Sequence, residues 1–230
     1  MLVKNIRKEL QKKIGSEPYH FVRAVTDDSI EIEESNNRGS AGTLQKVIIC
    51  DIPYDDDRYK FWRINLENEV QGLSSSNRTG DTALAVVRLG KKNYLDVYLI
   101  ELKSQIKDKR HDLRNTVKKF SDSISRFYFL LSLNDNNDHK AFPNLEIRFV
   151  GLVFYNGKAQ LEPNYPAKND EIHQIFKNEN QQGMLLCETI LDRQKIPVKF
   201  FKNFDESSGS IELSFMDMER KITQIRRTKS

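Results

Sequence analysis

Between Thr82 and Leu102 the chain reads TALAVVRLGKKNYLDVYLIEL, two apolar runs separated by the short link Gly90 to Asn93. A link that short, with Gly and Asn available where positive φ is needed, turns the runs back on each other as an antiparallel hairpin. Downstream, Leu113, Val117, Phe120, Ile124, Phe127 and Leu131 recur at spacings of 4, 3, 4, 3 and 4. That is one face of a helix, predicted over about Lys107 to Leu131. The run NLEIRFVGLVFY that follows is almost continuously apolar, as in strands covered on both faces. Hairpin, one-sided helix and buried strand in that order predict a right-handed βαβ crossover. The expected class is therefore α/β (α+β): a mixed sheet flanked by helices.

The rest of the chain elaborates this unit. Val3, Ile6, Leu10 and Ile14 are at helical spacing, closed by Gly15 and Pro18. YHFVRAV and SIEIEE alternate around a TDDS turn and predict a second hairpin, and KVIICDIP predicts a strand. In RYKFWRINLENEV, Tyr59, Trp62, Leu66 and Val70 fall on one stripe, which predicts a short helix carrying Glu67 and Glu69. Later strands are expected at GMLLCETIL, IPVKFF and SIELSFMDM, with EIHQIFKN a short helix among them. A length of 230 residues suits a single domain over 1–230: an N-terminal helix and hairpin elaboration (1–57), a core (58–155), and added strands with a basic tail (156–230).

Composition narrows the class. Charged residues make up 30% of the chain, and no stretch approaches the ~18 uncharged apolar residues a bilayer span needs. The charges of MLVKNIRKELQKKI break any signal-peptide core. A cytoplasmic protein without a membrane partner is expected. Cys50 and Cys187 sit in apolar runs with no partner at redox or metal-ligand spacing, which predicts buried thiols. His20, His111, His139 and His173 are too scattered for a local zinc motif, and no Ser occupies a G-x-S-x-G elbow. GLVFYNGK has five residues between its glycines, one too many for a phosphate loop.

A net charge of +4 is too small to specify a partner, but its distribution is uneven. Residues 103–119, KSQIKDKRHDLRNTVKK, carry seven basic side chains against two acidic ones. Acid collects in DDSIEIEE and DIPYDDD. Lys107, Arg110, Arg114 and Lys118 recur at helical spacing beside the apolar stripe and, with Arg78, are candidate phosphate contacts. A solvated helix face would explain the same counts.

Chemistry concentrates at the end of the hairpin's second run. An acid two residues before a lysine occurs at three places, and only Glu101-Leu102-Lys103 terminates an apolar strand. With a period of two, Val97, Leu99, Glu101 and Lys103 share a face. Two charges continuing a row of core residues cost several kcal/mol unless each is paired or holds a metal. Asp81 precedes the partner strand, so both carboxylates can reach one end of the hairpin. Such a pair offers hard oxygen ligands to Mg2+ (or Mn2+), and Lys103 can orient or deprotonate a water. A turn Asp, a strand-end ion pair, and Asp96 as a competing acid are the structural alternatives.

At these residues the chain resembles the PD-(D/E)xK nuclease superfamily, with its restriction-endonuclease-like fold. Asp81, Glu101-Leu102-Lys103, the helix to Leu131 and the strand from Leu145 match the family's order over roughly residues 58 to 155. The Pro usual before the Asp is Gly80 here. The resemblance implies a metal-dependent phosphodiesterase acting on nucleic acid, DNA ahead of RNA. Asp81 and Glu101 would hold the metal, Lys103 would serve the water, and a helical Glu, Glu69 before Glu67, would complete the site. Tyr128 has Ile124 rather than Gln four residues before it, so the exonuclease branch's Gln-x-x-x-Tyr is missing and an endonuclease is favoured. A homodimer is compatible with this class. The rival expectation is a non-catalytic nucleic-acid-binding or protein-interaction module on the same fold.

Overall fold

A computed structural model describes residues 22–33, 44–66, 80, 82–104, 106–107, 112–133, 145–157, 159–160, 170–189, 192–205 and 208–227. In chain order these form β1 (Val22–Ala24), β2 (Ile30–Glu33), β3 (Lys46–Cys50), β4 (Tyr59–Asn65), β5 (Thr82–Arg88), β6 (Asn93–Lys103) and β7 (Ile106–Lys107). Helix α1 (Asp112–Leu133), β8 (Leu145–Tyr155), β9 (Ala159–Gln160) and α2 (Glu171–Lys177) follow. The described chain ends with β10 (Gln182–Glu188), β11 (Arg193–Lys202), β12 (Ser210–Ser214) and α3 (Phe215–Arg227). The class is mixed α/β.

Seven strands build the main sheet in the order β1-β4-β5-β6-β8-β11-β10. The expected hairpin is present: β5 runs antiparallel to β6, with Thr82 opposite Ile100 and Arg88 opposite Tyr94. After α1 the chain returns as β8, parallel to β6 over its full length, with Glu101 opposite Val153 and Lys103 opposite Tyr155. The two central strands are buried on both faces. Leu95, Val97 and Leu99 join Phe149 and Val153 in one core with Leu113, Phe120, Ile124 and Phe127 of α1. Tyr98, Ile100 and Leu102 join Val150, Leu152 and Phe154 in a second core, with Ile30, Ile32, Val47 and Ile49 beneath and Phe215, Met218 and Ile222 of α3. Gly151 permits the close fit of α1 on β8, because a Cβ there would lie 2.6 Å from the Phe120 ring.

Four expectations are overturned. Residues 59–65 form β4 rather than a helix: Phe61 enters one core while Trp62 and Ile64 face the other, so burial on both sides of an aromatic, β-branched run outweighs a weak helical stripe. The N-terminal hairpin does not form, because β1 pairs with β4 and β2 with β3, in different sheets. The strand expected through SIELSFMDM stops at Ser214, and the basic segment taken as a tail is helix α3 as far as Arg227, with Phe215, Met218, Ile222 and Ile225 buried at helical spacing. Lys107 lies in β7, parallel to β9, and the helix begins at Asp112. β12 pairs parallel with β3, so the C-terminal segment completes a sheet begun near the N-terminus. The N-terminal helix expected over residues 1–14 falls outside the described residues.

Candidate active site

Glu101 stands one turn of the pleat from the end of β6, on the face covered by α1. It is 1% exposed. A buried carboxylate loses several kcal/mol of hydration unless cations or donors replace the water. Two lysines do so from different elements: Lys119 of α1 lies 2.7 Å from Oε1, and Lys103, two residues along the strand, lies 3.3 Å from the same oxygen. The other oxygen, Oε2, is buried and has no hydrogen-bond partner among the described residues. This is no surface ion pair. Among the described residues, then, one oxygen of this carboxylate is engaged twice and the other has room for a further donor or cation.

Helix α1 supplies more than a lysine. Thr116, Lys119 and Ser123 recur at the spacing of one helix face, a polar flank beside the apolar stripe, and Thr116 and Ser123 are fully buried. Ser123 Oγ accepts a hydrogen bond of 2.8 Å from the Gly80 N–H. A Cβ at Gly80 would come 3.1 Å from the Ile100 carbonyl oxygen. Both observations suit glycine at this position: a proline would have no N–H to give Ser123, and the backbone of β6 leaves little room for a side chain. Gly80 and Thr82 thus lie beside Ile100, the residue before Glu101. Asp81 itself is outside the described residues, as are Glu67, Glu69, Arg78 and Arg110. The segment leading to Glu69 is strand β4 as far as Asn65, so the helix expected to carry that glutamate is absent over the part described.

Asp96 is excluded as the site acid by its face. It points into the other core, where Arg88 donates to it at 2.6 Å and Arg148 at 2.7 and 2.8 Å. Arg88 also contacts Glu219 of α3 and the Tyr98 hydroxyl, tying that helix to the sheet. The cluster is a structural latch.

The basic face of α1 divides. Arg114 donates to Asp170 at 2.9 Å while remaining over half exposed, and Lys118 is exposed. Both line an open groove of about 580 Å3 between α1, α2 and β10, whose rim also carries Asp122, Glu171 and Glu188. Glu101 does not line it, so this groove and the buried carboxylate are different features. The carboxylate is the stronger candidate for chemistry, because the groove's charges are open to solvent and Arg114 is already engaged. Lys107 belongs to β7 by its backbone.

Sequence reasoning missed Lys119, Thr116 and Ser123. The available signal was phase: all three fall on one flank of the apolar stripe, yet a lysine there reads as solvated. No three His, Cys, Asp or Glu residues among those described group closely enough to hold a metal ion. Glu101 Oε2 can offer a divalent cation one ligand atom; Asp81, the other carboxylate expected at the site, lies outside the described residues. Compared with protein-family models, curated proteins and solved structures, the chain gives no match.

Proposed function

We propose that this protein is a metal-dependent nuclease that hydrolyses phosphodiester bonds, in DNA ahead of RNA, on a restriction-endonuclease-like core formed by β4, β5, β6, α1 and β8. The observation that carries the reading is Glu101: buried to 1% exposure at the end of a central strand, gripped by two lysines through Oε1, with Oε2 lacking a partner among the described residues. A structural carboxylate has both oxygens satisfied, as Asp96 does. The antiparallel register places Thr82, the residue after Asp81, opposite Ile100, the residue before Glu101, which supports an approach of the two carboxylates.

In this reading Asp81 and Glu101 hold Mg2+ or Mn2+, which supplies neutralisation of the phosphate's charge. Lys103, whose side chain is 14% exposed, stands where β6 emerges and offers N–H donors to a water or to a phosphoryl oxygen. Fixing that ammonium on Glu101 spares the reorganisation a free lysine would need. Lys118 and Arg114 on the outer face of α1, with Lys107, Arg110 and Arg78 as further contacts, serve the backbone away from the cut.

Nicking of supercoiled plasmid DNA tests this. Conversion to open circles with Mg2+ or Mn2+, abolished by EDTA and by Glu101→Gln, is the expected result; wild-type inactivity with both ions refutes the enzyme. A second reading has one observation in its favour: the described cluster of Glu101, Lys103 and Lys119 is net positive, which suits a non-catalytic nucleic-acid-binding module. DNA binding that ignores added Mg2+, without nicking, would select it.

A further inference from the structure

Two ammonium groups from separate elements converge on one carboxylate oxygen. Because Lys119 Nζ and Lys103 Nζ lie 2.7 and 3.3 Å from Oε1 of Glu101, they are no more than about 6 Å apart. Their side chains are 25% and 14% exposed, against 1% for Glu101. The carboxylate is the floor of the cluster, and both lysines are partly exposed to solvent. Their spacing matches two donors, each about 2.8 Å from a different non-bridging oxygen of one phosphate.

Charge points the same way. Among the described residues, Glu101 against Lys103 and Lys119 leaves the cluster with one positive charge. That balance suits a phosphodiester, and suits better the doubly negative state it passes through as water adds to phosphorus. With a single lysine the same cluster would be neutral.

We propose that Lys119 is a second phosphate-contacting lysine of the site, bracketing with Lys103 one phosphate of a nucleic-acid backbone while Glu101 anchors both ammonium groups. The inference rests on the nuclease reading for its substrate. It also assigns a binding role to a helix residue on the polar flank beside the stripe that packs the core. A purely structural Lys119 would do no more than hold Glu101 in place.

The test uses the full chain and a fluorescein-labelled DNA duplex of about 30 base pairs, with its single strand alongside. Anisotropy titrations from about 50 to 200 mM salt give the slope of log K, and plasmid nicking in Mn2+ gives the rate. For Lys119→Met the duplex slope should flatten by about 0.9, one phosphate contact, and nicking should slow about 100-fold. Lys119→Arg should keep the slope. Should Lys119→Met melt early, Lys119→Gln keeps a hydrogen bond to Glu101 without the charge and should flatten the slope equally. Wild-type slope and nicking rate in both neutral variants would overturn the inference and leave the nuclease reading standing. Wild-type protein that binds neither probe and nicks nothing would refute the nuclease reading and this inference with it. Binding without nicking removes the enzyme only, and the slope still decides Lys119.

Discussion

Asp96 and Glu101 lie on the same strand, both buried, and face opposite sides of the sheet with opposite degrees of satisfaction. Arg88 and Arg148 occupy both oxygens of Asp96, whereas Oε2 of Glu101 has no partner among the described residues. Around Asp96 the network closes through Arg88 to Glu219, which accepts a hydrogen bond from Tyr98. Burial, chiefly, pushes the Tyr98 hydroxyl well above its usual range and keeps it a donor. One acid is enclosed by donors on both oxygens, and the other keeps one oxygen unengaged among the described residues.

This contrast predicts different stabilities. Asp96→Ala leaves two largely buried guanidinium groups without their carboxylate and should cost about 3 to 5 kcal/mol in urea titrations. Glu101→Gln removes a carboxylate that was already half satisfied and should change stability by about 1 kcal/mol or less, since sites kept for function are seldom optimised for folding. Equal losses in the two variants would make Glu101 a structural acid.

A crystal structure grown with Mg2+ or Ca2+ should show the Asp81 and Glu101 carboxylates within about 6 Å of each other, a gap one ion bridges with short metal–oxygen bonds. Separation beyond about 10 Å in ordered density would remove the metal site.

Lys103→Ala should abolish nicking while lowering DNA affinity only modestly, flattening the salt slope by no more than the about 0.9 of one phosphate contact. One lysine is a small share of a contact spread over many phosphates, whereas its place beside the reacting groups is specific. Parallel loss of binding and cleavage would show that Lys103 serves affinity alone.

Replacing Arg110 and Arg114 together with Ala should flatten the salt dependence of log K for duplex DNA by roughly 1.4 to 1.8 units. Folding should barely change, because the Arg114–Asp170 ion pair is largely exposed on its arginine side and such pairs contribute below about 1 kcal/mol. An unchanged slope would identify this flank as solvated and leave binding to other basic residues.

Burial pushes the Cys187 thiol up to about 12. In the unfolded chain a thiol ionises near pH 8.5 (about), so the folded value is the higher one. The contribution to stability is complete below about pH 8.5 and is lost as pH rises toward about 12. Cys187→Ala should therefore flatten the decline in urea midpoint between about pH 9 and 11, with Tyr98 retaining part of it. An equally steep decline in the variant would contradict the burial of this thiol.

Local pattern alone determined the hairpin of β5 and β6, helix α1 and strand β8, because each is long, strongly periodic and satisfied by its own apolar spacing. The same pattern singled out Glu101 and Lys103, since charges that continue a row of core residues stand out without any knowledge of neighbours. Elements whose identity depends on partners were decided elsewhere. Tyr59 to Asn65 carries a weak helical stripe, and only the presence of a core on each face makes it a strand. Ser214 and Phe215 are adjacent in an apolar run, yet one ends a strand beside β3 and the other begins a helix packed on Tyr98 and Phe61. Lys119 could not be distinguished from its solvated neighbour Lys118 by spacing. Which of two consecutive lysines meets a buried carboxylate is fixed by the docking of α1 on the sheet, through Phe120 against Gly151, and that contact joins residues 31 positions apart.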